Sequence, residues 1–300
     1  MKVYRSKKMQ QGIIRTYDEL LKQWDVAIEE MDIDTIYGST HVIACGDEKN
    51  PPLLLFHGVG DDSALMWIYN AKYLSEYYRL YAIDTIGGPG KSVPGKLYNK
   101  DFNDVTWIDE VLKGLFLEKA YFAGVSMGAY LVQLYTLKRP EKVLKGICMS
   151  GTVPTGQKNN MSAMMKIFLP EALLPTPKNV QKLIRKLCGS NSSVFTENSK
   201  IMEHYTYLLK GFNNMAMGYH NVRGFDEAEI DSIRDKLEFL VGKDDPFQKM
   251  GGDKALEYFH MKATFYPDAG HGLNHELAED INHKMVEIFA QSVDKEDIRR

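Results

Sequence analysis

Ser126 stands in Gly124-Val125-Ser126-Met127-Gly128, between an apolar run, Ala120 to Ala123, and a helix-like stretch, Ala129 to Lys138. A serine on a sharp strand-to-helix turn needs small residues two before and two after it. Glycine at both places lets neighbouring backbone pass close by, so that the hydroxyl projects above the sheet. A serine hydroxyl is a weak nucleophile at neutral pH and requires an imidazole base oriented by a carboxylate.

Both partner types lie downstream. The buried-strand pattern Leu237 to Val241 leads into Gly242-Lys243-Asp244-Asp245-Pro246, which sets two acids on a loop at a strand end. A second short strand pattern, Ala263 to Tyr266, leads into Pro267-Asp268-Ala269-Gly270-His271-Gly272. Glycines on both sides of His271 predict a mobile, tightly turned loop. Acyl transfer also needs donors for the developing oxyanion, about 3–4 kcal/mol for a single preorganised donor. These are assigned to the backbone N–H groups of Val59, in Phe56-His57-Gly58-Val59-Gly60-Asp61-Asp62 after the apolar run Pro52 to Phe56, and of Met127. In the simpler reading His57 only packs in the turn.

Together these motifs resemble the α/β-hydrolase family from about Tyr37 to about Gln291, in the order Ser, Asp, His that this family uses. Asp84-Thr85-Ile86-Gly87-Gly88-Pro89-Gly90-Lys91-Ser92, after the strand Arg79 to Ile83, is similar to the family's Asp-x-x-Gly-x-Gly-x-Ser turn. The resemblance implies Ser126 as nucleophile, His271 as base and Asp245 as acid, with Asp244 as runner-up. Lys236 stands where the family often has proline, which bears on how the strand begins and not on chemistry. Within the family the chain is similar to carboxylesterase-like members, nearer the proline iminopeptidase and esterase branch than the large lipases. The implied reaction is hydrolysis of a small, partly apolar carboxylic ester through an acyl-enzyme, without cofactor. A serine at position 126 disfavours the epoxide hydrolase and haloalkane dehalogenase branches, which use aspartate there. A peptidase, or a C–C bond hydrolase with Arg185 or Arg223 holding a second carboxylate, is the alternative enzyme. A small-molecule receptor with an intact triad is the alternative of another class.

Two patterns imitate other chemistry. Gly87 to Ser92 ends in Gly-Lys-Ser, but a phosphate loop's first glycine falls at Thr85, and Val93-Pro94-Gly95 cannot open a helix. His271 and His275 have zinc-ligand spacing, yet Gly272 intervenes and no glutamate follows His271, so no metal is expected. Cys45, Cys148 and Cys188 have no framework spacing and read as reduced and structural.

The elements that must position these groups alternate as strand and helix. A leader helix, Lys8 to Trp24, carries an apolar stripe that should dock on the domain. Strands at about Val26 to Ile33 and Ile36 to Cys45 form an antiparallel hairpin turned near Asp34. Then come the strand at Leu53, a helix from Ser63 to Tyr77, the strand at Leu80, a helix from Val105 to Phe116, the strand at Tyr121, the nucleophile helix and the strand Val143 to Met149. The prediction is an α/β fold, a mostly parallel sheet flanked by helices on both faces with an inserted helical cap. Core residues 1–151 and 233–300 enclose the cap at 152–232, which has helix-like segments at Ser162 to Leu173, Lys178 to Leu187 and Thr196 to Phe212. The cap's Met161, Met164, Met165, Met202, Met215 and Met217, with Phe168, Tyr205, Tyr207 and Phe212, suit an adaptable apolar pocket or simply the cap's own core.

Three hundred residues, 44% hydrophobic and 26% charged, suffice for this plan, and a formal net charge of −3 argues against a nucleic-acid partner. No secretory h-region and no apolar run of membrane-spanning length is present, so the expected compartment is cytoplasm.

Overall fold

Strand residues one apart point to opposite faces, and both faces here are apolar, which is the signature of a sheet covered on two sides. In the computed structural model, which describes residues 2–155, 167, 171, 173–248 and 251–297, Leu53 and Leu55 enter one hydrophobic core with Ala123, Ile147 and Met149. Leu54 and Phe56 enter the other with Phe122 and Cys148.

The strands are β1 (Ile28–Thr35), β2 (Gly38–Cys45), β3 (Pro52–Phe56), β4 (Arg79–Ile83), β5 (Val93–Pro94), β6 (Ala120–Val125), β7 (Val143–Met149), β8 (Leu237–Gly242) and β9 (Ala263–Tyr266). Their order is β1-β2-β4-β3-β6-β7-β8-β9, with the short β5 on β2. β1, β2 and β4 pair antiparallel, and from β4 onward every pairing is parallel. The parallel strands therefore bring the carboxyl ends of β3, β6, β8 and β9 to one edge, where the sequence motifs lie. The first hairpin turns between Thr35 and Gly38, slightly beyond the expected Asp34.

The helices are α1 (Lys7–Leu21), α2 (Ser63–Met66), α3 (Ala71–Leu74), α4 (Asp104–Gly114), α5 (Met127–Lys138), α6 (Pro177–Leu187), α7 (Ser193–Thr196), α8 (Ser199–Gly211), α9 (Glu227–Ile233), α10 (Gly252–Tyr258), α11 (Leu273–Glu276) and α12 (Ala278–Asp297). The single helix expected from Ser63 to Tyr77 is two short ones. Asn70, between them, turns its buried amide to the Asn274 carbonyl and the Asn282 side chain, which favours a break over a straight run. The segment expected as one helix from Thr196 to Phe212 is likewise interrupted, because Asn198 accepts from the Lys200 and Ile201 amides and starts α8 as an N-cap. The helix expected from Ser162 to Leu173, with Met161, Met164, Met165 and Phe168, lies almost wholly outside the described residues.

The leader helix docks on α8, within the segment between β7 and β8, as well as on the core. Gly12 lies against Tyr207, and Gly211 lies against Met9 and Ile13. Buried Thr16 pairs with His204 Nδ1 at 2.7 Å, and His204 Nε2 pairs with Asp62 Oδ2 at 2.8 Å. Tyr17 donates to Asp84 Oδ2 at 3.0 Å, and Trp24 donates to the Ala64 carbonyl at 2.9 Å. A second buried pair, His220 Nδ1 with Asp104 Oδ1 at 2.6 Å, fixes the far end of the same segment, while His220 Nε2 donates to the Ile86 carbonyl at 2.7 Å.

Removing one member of a fully buried charge-capable pair leaves the other without a partner, at about 3–5 kcal/mol. His204→Ala should therefore destabilise the protein by about 3 kcal/mol in urea unfolding, and Thr16→Val by only about 1 kcal/mol. Equal, small losses for both would contradict a central role for the Asp62–His204 pair.

Candidate active site

Ser126 follows β6 directly and precedes α5. Its backbone has φ 57° and ψ −113°, a conformation that L-residues adopt rarely and usually under constraint. The constraint is steric. A Cβ on Gly124 would sit 2.3 Å from the Gly128 carbonyl carbon, and one on Gly128 would sit 2.2 Å from the Phe56 carbonyl oxygen. The two glycines let β6, α5 and the end of β3 pass at backbone contact. The Ser126 amide continues the sheet ladder by donating to the Met149 carbonyl at 2.9 Å.

The turn after β3 lies directly over this serine: a Cβ on Gly58 would stand 3.3 Å from Ser126 Cβ. Val59, the next residue, is 52% exposed. Met127 is the first residue of α5, and a first-turn N–H has no acceptor within its own helix. His57 orders this turn. The Thr85 amide donates to His57 Nε2 at 2.9 Å, which leaves Nδ1 to carry the proton and donate to the Gly58 carbonyl at 2.8 Å. Full burial lowers the pKa of this imidazole and keeps it neutral. His57 thus ties the end of β3 to the end of β4.

Asp245 and His271 meet across the ends of β8 and β9. His271 Nδ1 lies 2.8 Å from Asp245 Oδ2, while the other carboxylate oxygen accepts from the Phe247 amide at 2.8 Å. The carboxylate is fully buried and the imidazole keeps one fifth of its surface exposed. Burial alone would lower the His271 pKa, but the Asp245 charge and hydrogen bond outweigh it and hold it above the ordinary histidine value. The Phe247 ring packs edge-on against the imidazole at 4.7 Å. Asp244 differs in place: its amide donates to the Ala269 carbonyl at 2.9 Å, and the carboxylate that reaches His271 is that of Asp245. Ser150 joins the serine and histidine sides, since it follows the carbonyl that accepts from Ser126 and its hydroxyl donates to the His271 carbonyl at 2.8 Å.

The histidine loop is pinned, in contrast to the mobile loop expected from its glycines. The His271 amide donates to the Leu187 carbonyl at 2.6 Å. A Cβ on Gly270 would meet that carbonyl at 2.3 Å, so this glycine serves close packing. Buried Glu276 holds both sides together, accepting from the Gly270 amide at 2.9 Å and from the Gly189 amide at 2.7 Å. Sequence reasoning passed over Glu276, Phe247 and Ser150 because none belongs to a motif; only proximity in chain to Asp245, His271 or a strand end hinted at them.

The two imitating patterns resolve structurally. Asp84 braces its turn by accepting from the Ser63 and Lys91 amides and from Tyr17, while the Lys91 ammonium pairs with Asp18 and Glu30. His275 lies buried with Nε2 on the Leu65 carbonyl at 2.9 Å, and burial pushes its pKa down to about 4.

A strained serine between two glycines, a buried carboxylate on an imidazole and a backbone turn against the serine, all at the carboxyl edge of a parallel sheet, belong to one architecture. The family profile described as alpha/beta hydrolase fold matches residues 51–214. The chain belongs to the α/β-hydrolase family. Carboxylesterase YbfK of Bacillus subtilis (strain 168) is 35% identical over 288 residues, covering 93% of this chain and 94% of its own. The uncharacterized carboxylesterase nap of the same organism is 28% identical over 291 residues, covering 92% and 91%. Among solved structures, naproxen esterase (carboxylesterase NP) from Bacillus subtilis superposes with a TM-score of 0.75 at 24% identity, over 92% of this chain and 96% of that one. Carboxylesterase CesB (YbfK) superposes with a TM-score of 0.76 at 22% identity, over 93% and 97%. These likenesses place this α/β-hydrolase in a carboxylesterase-like branch.

The backbone contact at Gly128 yields a direct test. Gly128→Ala drives a methyl into the Phe56 carbonyl, and overpacking of this kind costs about 1–3 kcal/mol. A urea midpoint unchanged from the parent would show that β3 and α5 do not meet there.

Proposed function

We propose that this α/β-hydrolase cleaves a small, partly apolar carboxylic ester through an acyl-enzyme. Ser126 attacks the carbonyl, His271 takes its proton and passes it to the leaving alcohol, and the Val59 and Met127 amides hold the oxyanion. His271 then activates water for deacylation, with Asp245 stabilising the imidazolium throughout. The observation that carries this reading is the His271–Asp245 hydrogen bond at 2.8 Å together with a serine held at φ 57° at the end of β6. The carboxylesterases that cover nearly all of this chain support the ester as the bond cleaved.

Two arginines bear on the alternative of a C–C bond hydrolase. Arg223 is engaged by Glu229 through two hydrogen bonds, at 2.7 and 2.8 Å, and stacks over Phe225. Arg185 is exposed in the last turn of α6. The engagement of Arg223 by Glu229 speaks against its holding a second substrate carboxylate, which favours the ester. Residues 152–232 act in this reading as a lid. The support is that α8 spans the oxyanion turn through His204 and that the Leu187 carbonyl holds the His271 amide.

Hydrolysis of p-nitrophenyl esters from acetate to decanoate should depend on Ser126, with Ser126→Ala lowering kcat by about 10⁴-fold or more and one chain length preferred. Activity retained in Ser126→Ala would exclude the serine as nucleophile. The base must be neutral to act, so kcat/KM should fall as pH drops through the His271 pKa, with a midpoint above the ordinary 6.5. In Asp245→Asn the remaining activity should lose its acid limb at lower pH. A limb that stays in place would assign it to another group.

A further inference from the structure

The chain that leaves α6 runs beside the histidine loop, and the two share one buried carboxylate. The Leu187 carbonyl accepts from the His271 amide at 2.6 Å, and three residues on the Ser190 amide donates to the Asp268 carbonyl at 2.8 Å. Residues 187–190 and 268–271 therefore pair in opposite directions, outside the sheet. The approach is close on both sides. A Cβ on Gly189 would stand 2.1 Å from the Asp268 carbonyl oxygen, and one on Gly270 would stand 2.3 Å from the Leu187 carbonyl oxygen. Within this pairing the Gly189 and Gly270 amides both donate to Glu276, one to each carboxylate oxygen, at 2.7 and 2.9 Å. The Glu276 main-chain carbonyl accepts in turn from the Asn191 side chain at 2.8 Å.

Glu276 is only 3% exposed. A buried carboxylate is costly unless its oxygens are hydrogen-bonded, and here each accepts from a backbone amide, which suits the ionised, acceptor-only form. What the carboxylate holds is a strained loop. Asp268 has φ 60°, a conformation that a residue other than glycine keeps only when its surroundings enforce it. The imidazole meets Asp245 at 2.8 Å from a backbone that is fixed at the His271 amide, the Gly270 amide and the Asp268 carbonyl, in every case by the stretch after α6 or by Glu276. The Glu276 charge also favours the His271 imidazolium. The other titratable groups that act on the two residues are Cys188 on the stretch after α6, Asp244 and Asp245 on the loop after β8, and Asp61 on the turn after β3.

We infer that Glu276 is a positioning residue for the base: by accepting the Gly189 and Gly270 amides together, it makes the stretch after α6 part of the frame that sets His271 on Asp245. The inference rests on the ester-hydrolase reading above and deepens it by adding a residue outside the triad on which turnover depends. Glu276 acts through His271 and exchanges no proton with the ester. A Glu276 that only stabilised the fold would lower the unfolding midpoint and leave the kinetics of the folded protein as they are.

The test is Glu276→Gln, which keeps the shape of the side chain but sets an NH2 group where one of the two amides needs an acceptor. Circular dichroism establishes that the variant is folded before its kinetics are read. With the p-nitrophenyl ester of preferred chain length, kcat should fall by about tenfold or more while KM stays within about twofold, as expected when a reacting group is displaced and the binding pocket is not. The acid limb of kcat/KM should move to lower pH, because removing a negative charge lowers the pKa of a base whose charged form it favoured. The two changes together support the inference, and a folded variant that lacks either one overturns it. Should Glu276→Gln fail to fold, Asn191→Ala loosens the same stretch by removing its bond to the Glu276 carbonyl. A kcat lower by about threefold at unchanged KM then supports the inference, and an unchanged kcat overturns it. Absence of Ser126-dependent turnover in the parent would instead overturn the ester reading beneath it. Labelling of Ser126 by a p-nitrophenyl alkylphosphonate, which needs the base but no ester, then decides on Glu276: slower labelling in Glu276→Gln supports its role and an equal rate overturns it.

Discussion

The backbone of Ser126 at φ 57° is the constraint on which the carboxyl edge of the sheet depends. A non-glycine residue in such a conformation costs about 1–3 kcal/mol and persists only when its surroundings over-determine it. Here the surroundings are backbone against backbone: Gly124 on Gly128, Gly128 on the Phe56 carbonyl, and the Ser126 amide on the Met149 carbonyl. Because these contacts involve β3, β6, β7 and α5 together, the serine cannot relax without parting the central strands. The same contacts bring Gly58 over the serine, so the turn at Ser126 and the turn after β3 are one packing unit.

Around that unit the chain uses buried polar pairs to hold mobile-looking parts in place. Asp62–His204–Thr16 joins the turn after β3, α8 and the leader helix; Asp104–His220 joins α4 to the later part of the segment between β7 and β8. Glu276 joins the histidine loop to the segment after α6. Each is directional, so the described part of the segment between β7 and β8 is held against the sheet by hydrogen bonds as well as by apolar area. Separating these elements would leave buried charge-capable partners unpaired, which is costly.

Much of this was legible in the chain because strand patterns and glycine punctuation are local. The strands Val143 to Met149 and Ala263 to Tyr266 have the bounds read from sequence, and the parallel α/β order followed from alternation. Placing Asp245 and His271 on adjacent strand ends needed only that order. What escaped was non-local. The breaks at Asn70 and Asn198 arise from amides whose partners are remote in sequence or cap the next helix. The leader's docking on α8 depends on Gly12 and Gly211 facing residues about 200 positions away. The pinning of the histidine loop by Leu187 and Glu276 could not be read from Gly270 and Gly272, since a glycine that permits motion and one that permits close contact are the same letter.

The central claim is that the strained serine is the nucleophile of an ester hydrolase. It is tested most directly by treating the full chain with a p-nitrophenyl alkylphosphonate and mapping the adduct by peptide mass spectrometry. One adduct per chain on Ser126, formed faster as pH rises through the His271 pKa and nearly absent in His271→Ala, is the predicted result. A stoichiometric adduct elsewhere, or labelling of Ser126 indifferent to His271, would contradict the account.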